Sequence, residues 1–120
     1  MNKLVKLFIT SISAITLTLV SFTSSFAKVE GEYIVLGSAI SLTGKYSSNG
    51  VHTQNGYNLA VERINKMGGV NVGGKSYKFE IIYYDDESNP KRAAQLAERL
   101  IKQDGVHYML GPYSSGLTKA

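Results

Sequence analysis

Two adjacent serines, Ser114 and Ser115, follow a short apolar run at residues 106–110 (VHYML) and a Gly111-Pro112 stop. Serine in that place is a helix-start signal, because its hydroxyl accepts a hydrogen bond from an unpaired amide of the first turn. A helix start at the carboxyl end of a strand also presents free N–H groups and the positive end of the helix dipole. The chemistry expected here is therefore capture of an anion. Tyr113 stands just before the serines, and a second hydroxyl-rich stretch, residues 41–50 (SLTGKYSSNG), carries Tyr46 and Asn49.

Three competing chemistries fail on context. Residues 69–76 (GVNVGGKS) fit the phosphate-loop pattern, but that mechanism needs a strand before the loop and a helix after it. Here a helical pattern precedes and a strand pattern follows, so the stretch reads as a glycine-rich helix-to-strand turn. The nucleophile elbow G-x-S-x-G fails at both serines, since Pro112 and Tyr113 occupy the first glycine position. Neither His52 nor His107 is placed as a base, so no catalytic residue is expected and the protein is read as a non-enzyme. Asp85, Asp86 and Glu87 lack metal-ligand spacing and precede a helix start, where negative charge is favoured. No metal or other cofactor is expected.

The elements that must position the serines alternate regularly. Residues 33–40 (YIVLGSAI) form a nearly continuous apolar strand, as expected when both faces are covered. Gly37 within it signals a close backbone approach. After the loop at residues 41–50, Tyr57, Ala60, Val61, Ile64 and Met67 mark one face of a helix over residues 53–67, ended by Gly68-Gly69. Residues 77–84 (YKFEIIYY) are a second strand. Asn89-Pro90 starts a second helix, with Asn as cap and Pro at the first position. Its stripe is Ala93, Ala94, Leu96, Ala97, Leu100 and Ile101, it runs to Asp104, and residues 106–110 follow as the third strand. This βαβαβ order gives an α/β fold with a parallel sheet. Strand order 3-2-1 or 2-1-3 satisfies it equally. In the second order the loops at residues 41–50 and 111–116 share a crevice, and Tyr46 and Tyr113 form its walls.

Composition sets the setting. Of 120 residues, 43% are hydrophobic and 18% charged, which is ordinary globular sequence. The first residues carry Lys3 and Lys6, residues 7–20 are apolar apart from Ser and Thr, and Ser25 and Ala27 are small residues at the −3 and −1 positions. These are the parts of a cleaved signal peptide, residues 1–27, which leaves residues 28–120 as the mature chain. Its removal lowers the formal charge from +4 to +2, and no basic block remains for a nucleic acid. The chain has no cysteine, which excludes both a disulfide framework and a lipidated cysteine at the processing site. A soluble protein of the periplasm is expected.

The stretches LGSAISLTGKYSSNG, NGYNLAVERINKMGGV, YYDDESNPKRAAQLAERLI and VHYMLGPYSS together resemble the N-terminal end of the periplasmic binding proteins of branched-chain amino-acid ABC transporters. The resemblance implies strand order 2-1-3 and a partial N-terminal lobe of a type I periplasmic binding protein. It implies a non-catalytic solute receptor for leucine, isoleucine or valine that works with an inner-membrane ABC permease complex, and a monomer. The alternatives are a same-fold receptor for signalling or for an amide-type ligand, or a truncated fragment without function. The family's carboxylate-binding serine falls on Ser115, with Ser114 and Tyr113 before it. The wall contributed by the first loop falls on Tyr46 or Asn49.

Overall fold

The computed structural model describes residues 29–30 and 32–120, so the expected signal peptide lies outside the described residues. The elements are β1 (Val29–Glu30), β2 (Tyr33–Ile40), α1 (Ser47–Lys66), β3 (Val70–Val72), β4 (Lys75–Asp85), α2 (Pro90–Lys102), β5 (Tyr108–Met109) and α3 (Ser115–Thr118).

The first apolar strand, β2, is the centre of the sheet. It pairs in parallel with β4 along its whole length, from Tyr33 opposite Lys78 to Ile40 opposite Asp85. On its other edge it pairs in parallel with β5, Leu36 opposite Tyr108 and Gly37 opposite Met109. The three parallel strands thus stand in the order 2-1-3. Two short strands were not expected. β1 joins the β5 edge of β2 in the antiparallel sense, with Val29 opposite Ile34. β3 makes a hairpin with β4 through Gly73-Gly74, so residues 69–76 contain a strand and are more than the expected turn.

α2 is set by local sequence. The Asn89 side chain accepts from the Arg92 N–H at 3.1 Å, and Pro90 is the first helical residue. Its Ala93 and Leu100 are buried against β2 and the chain leading to β5, where Val35, Leu100 and Val106 form the core with Ile82 and Tyr84 packed around them. Ile101, expected on the buried stripe, is 54% exposed. Gly37 belongs to this packing. A Cβ there would lie 3.0 Å from Val106 and 3.1 Å from both Leu100 and Met109, so the close approach is by side chains and not by the expected backbone.

α1 departs further from expectation. It starts at Ser47, six residues before the expected start at residue 53, and Asn49 lies in its first turn instead of in a loop. Its opposite end stops at Lys66, and Met67, expected on the inward face, is 77% exposed. Between this helix and the sheet lies an open apolar groove of 510 Å³, lined on the helix by Tyr57, Val61 and Ile64. The sheet is therefore closed on its α2 side and open on its α1 side. Among the described residues no helix is long and apolar enough to cross a membrane.

Candidate functional site

Because β2 and β5 are parallel neighbours, their carboxyl ends open together and bring residues 41–46 beside residues 111–114. Tyr46 and Tyr113 meet there, with ring centroids 5.9 Å apart and planes tilted by 54°. That separation lies in the range of favourable aromatic pairs. The Lys45 ammonium sits 4.6 Å from the centroid of the Tyr46 ring, where the negative face of the ring attracts a cation.

The two serines divide their work. Ser114 is the cap of α3, and its hydroxyl accepts from the Leu117 N–H at 3.2 Å. Ser115 is the first helical residue, is exposed, and its hydroxyl has no hydrogen-bond partner among the described residues. The N–H groups at the start of a helical turn have no acceptor within it, so a hydroxyl and adjoining amides are available together. α3 is one turn long, so the dipole expected from a full helix is largely absent. Asn49 is exposed in the first turn of α1, and its carbonyl accepts from the Thr53 hydroxyl at 2.9 Å. Tyr46 and Tyr113 are thus brought together, with Ser115 two residues beyond Tyr113 in the chain and Asn49 on the helix three residues beyond Tyr46.

The acidic turn after β4 holds the first wall in place, a role that neither a metal site nor a helix N-terminus explains. Asp85 Oδ1 accepts from the N–H groups of Leu42 at 2.9 Å, Thr43 at 3.2 Å and Glu87 at 2.9 Å. Asp85 Oδ2 accepts from the Thr43 hydroxyl at 2.7 Å. Partial burial pushes the Asp85 carboxyl up, but the Thr43 hydroxyl and the Glu87, Leu42 and Thr43 amides outweigh it and hold it below the usual aspartate value. Asp86 is fully buried, and its Oδ1 accepts from the Ser41 hydroxyl at 2.6 Å and the Ser88 N–H at 2.8 Å. Ser88 then reaches the site directly. Its hydroxyl donates to the Thr43 carbonyl at 2.7 Å and accepts from the Tyr46 N–H at 3.0 Å. Glu87 and Ser88 take left-handed φ values of 54° and 59°, which this turn imposes on side chains that seldom adopt them.

Two glycines make room for this clamp. At Gly44 a Cβ would lie 2.7 Å from the Glu87 carbonyl oxygen, and at Gly50 only 1.8 Å from that of Ser41. The second wall is held more lightly. The Tyr57 hydroxyl donates to the Gly111 carbonyl at 3.1 Å, and Leu117 is buried beside α2, next to a cavity of 200 Å³ that Pro112 and the alanines of α2 also line. Asp85, Asp86 and Ser88 were not legible as site residues. The acidic triplet was visible in the sequence, but its partners stand 42 to 45 residues away. Among the described residues no group of three or more His, Cys, Asp or Glu side chains converges as a metal ion would require.

Residues 34–120 match the family model described as periplasmic binding protein. The Leu/Ile/Val-binding protein BraC3 of Rhizobium johnstonii is 32% identical over 107 residues, which is 89% of this chain and 28% of that protein. The branched-chain amino acid transporter substrate binding protein LivJ of Streptococcus pneumoniae, solved in complex with isoleucine, superposes with a TM-score of 0.62. It is 32% identical over 70% of this chain and 23% of its own. A solute binding protein of an ABC transporter from Rhodopseudomonas palustris, solved with 3,4-dihydroxybenzoic acid, superposes with a TM-score of 0.51. It too is 32% identical, over 65% of this chain and 20% of its own. The chain spans about a quarter of the length of the relatives it matches.

Proposed function

The chain belongs to the periplasmic binding protein family, and we propose that it is the carboxylate-holding part of a receptor that captures amino acids for an ABC importer. Branched-chain amino acids are the favoured ligands. The observation that carries this reading is the Tyr46–Tyr113 contact at the joint carboxyl end of β2 and β5, with Ser115, whose hydroxyl is uncommitted among the described residues, two residues further along the chain. In this reading Ser115 donates its hydroxyl and a backbone N–H to the α-carboxylate of the ligand. Ser114 holds the turn that presents them, Tyr113 and Tyr46 wall the crevice, and Asn49 lines its far end.

The ligands named for two relatives support the assignment of Ser115. Isoleucine and 3,4-dihydroxybenzoic acid differ in every group except a carboxylate, which favours a carboxylate-holding role for the element that the relatives share with this chain. An aromatic acid is the second reading, favoured here by the two tyrosines and by the cation of Lys45 beside them. Capture without chemistry is the role proposed, in keeping with the substrate-binding relatives. Residues 1–27 are proposed to direct export and to be removed after Ala27, with the periplasm as destination. The permease complex is the proposed partner, and the receptor is proposed to be monomeric.

A chain holding one side of a site binds weakly, so the test must read weak contacts. Isoleucine titrated to millimolar concentration into the isotopically labelled chain is expected to shift the amide resonances of Tyr113, Ser115 and Tyr46 while leaving the β3–β4 hairpin unmoved. Ser115→Ala is expected to abolish those shifts, since a hydrogen bond to a charged group contributes about 1.5 kcal/mol or more. Shifts absent at all three residues, or retained in Ser115→Ala, would refute the assignment. Larger shifts with 3,4-dihydroxybenzoate than with isoleucine would select the aromatic reading.

A further inference from the structure

The outer edge of β4 meets a side chain at a point where a further strand would pair. The N–H groups of Lys78 and Asp86, at the two ends of the pairing with β2, donate to the carbonyls of Glu32 and Ile40. The even-numbered residues between them therefore turn their backbone groups toward β2, and Phe79, Ile81 and Tyr83 turn theirs the other way. Among the described residues that outer edge is shared by β3, opposite Lys75–Tyr77, and by the side chain of Asn65. Asn65 Oδ1 accepts from the Phe79 N–H at 2.8 Å, and Asn65 Nδ2 donates to the Phe79 carbonyl at 2.8 Å. One carboxamide thus makes both hydrogen bonds that a residue of an added antiparallel strand would exchange. α1 is placed to hold it there. Asn58 stands on the same helix face as Asn65, at i and i+7, and its Oδ1 accepts from the Tyr83 hydroxyl at 2.8 Å.

What this edge must be kept from is written in β4 itself. Residues 79–84 (FEIIYY) are β-branched or aromatic apart from Glu80, with neither proline nor glycine. Segments of that composition pair strand to strand with copies of themselves. Two such edges meet antiparallel about a two-fold axis, where one row of donors and acceptors is self-complementary. We propose that the Asn65 carboxamide is an edge guard: by occupying the backbone groups of Phe79 it keeps β4 from joining the β4 of a second copy. The guard lies wholly within α1 and β4. It does not depend on the ligand proposed above, and it gives the proposed monomer a structural cause.

The test compares the 120-residue chain with its Asn65→Ala variant, so that association through any other part of the chain appears in both. Alanine favours the helix and frees the Phe79 N–H and carbonyl. The mass read by light scattering is expected to rise toward double as Asn65→Ala is concentrated from micromolar to millimolar, above any rise in the parent chain. Over the same range the amide hydrogens of Phe79, Ile81 and Tyr83 should come to exchange several-fold more slowly in Asn65→Ala, with no such change in the parent. Asn65→Lys also releases the Phe79 N–H but sets a charge on the edge, and is expected to behave as the parent does. A mass for Asn65→Ala no greater than the parent's, association without protection at those amides, or equal association of Asn65→Lys would overturn the proposal. If circular dichroism shows Asn65→Ala unfolded, Asn65→Ser, whose short hydroxyl cannot span both bonds, takes its place. Unfolding of both would make Asn65 an anchor of α1 and not a guard.

Discussion

Residues 41–46 are held by a set of long-range hydrogen bonds to Asp85, Asp86 and Ser88, whereas residues 111–114 rest on the Tyr57–Gly111 contact and the local cap of α3. The first loop presents an aromatic wall, Tyr46, from a backbone whose Leu42 and Thr43 amides are paired to the Asp85 carboxylate and whose Tyr46 amide is paired to the Ser88 hydroxyl. The second presents the hydroxyl proposed to bind the ligand, Ser115, from a single helical turn backed by a cavity. The difference teaches where pre-organisation lies. In the function proposed, the wall is built before a ligand arrives, and the turn carrying Ser115 is the part that a ligand would order. Binding energy spent on that ordering is lost from affinity.

The strongest way to break this contrast is at its tightest contact. Gly50→Ala puts a methyl group 1.8 Å from the Ser41 carbonyl oxygen, and that neighbour is backbone that cannot swing aside. We expect a loss of about 3 kcal/mol, the upper end of overpacking costs, or loss of cooperative unfolding altogether. Urea denaturation checks this, and an unchanged midpoint would mean that the first loop is not rigidly held. Asp86→Ala comes next. It strands the Ser41 hydroxyl and the Ser88 N–H, but it also removes Asp86 Oδ2, which is buried without a partner among the described residues. Two costs created against one relieved give a net loss of about 2 kcal/mol by the same measurement.

These two sites also show what the sequence could and could not carry. β2 was legible in full as residues 33–40, and Asn89-Pro90 placed the start of α2, because an apolar run and a capping pair are local signals. The start of α1 was not legible, because its cap, Tyr46, makes no side-chain cap hydrogen bond. That start is fixed instead by the Ser88 hydroxyl and by the fit of Gly50 against Ser41. β3 was hidden by its three-residue length between glycine pairs. The order 2-1-3 came from resemblance, since hydrophobic pattern is blind to which strands are neighbours. The Tyr46–Tyr113 contact was within reach of the sequence because both tyrosines follow strands that the resemblance makes neighbours. Asp85, Asp86 and Ser88 were missed because what they do is defined by partners in another loop.

Tyr57→Phe tests the lighter side of the comparison. It removes one exposed hydrogen bond to Gly111, so a loss of about 1 kcal/mol is the most to be expected. The informative readout is local. Amide hydrogen exchange at Tyr113 and Ser115 should quicken several-fold, while that at Leu42 and Thr43 stays unchanged. Equal acceleration in both loops would show that the two walls are one mechanical unit and that the contrast is false.

The smallest expected effect comes from acid, and its sign distinguishes the loops without any substitution. Asp85 is held below its ordinary value of 3.8 once folded, because the hydroxyl and amides around it favour the carboxylate over the opposing effect of burial. A depressed folded value means that the contribution is present above the unfolded value and is lost as pH falls through the folded one. Amides of Leu42 and Thr43 should therefore keep full exchange protection from neutral pH down to about pH 4, the ordinary aspartate value. They should lose it at lower pH, whereas the Tyr57–Gly111 hydrogen bond joins a phenol hydroxyl to a backbone carbonyl and involves no carboxylate. The measurement is protection against pH at fixed temperature, corrected for intrinsic exchange. If protection at Thr43 and at Tyr113 falls together below pH 4, the loss is global and the acidic clamp is not what separates the two walls.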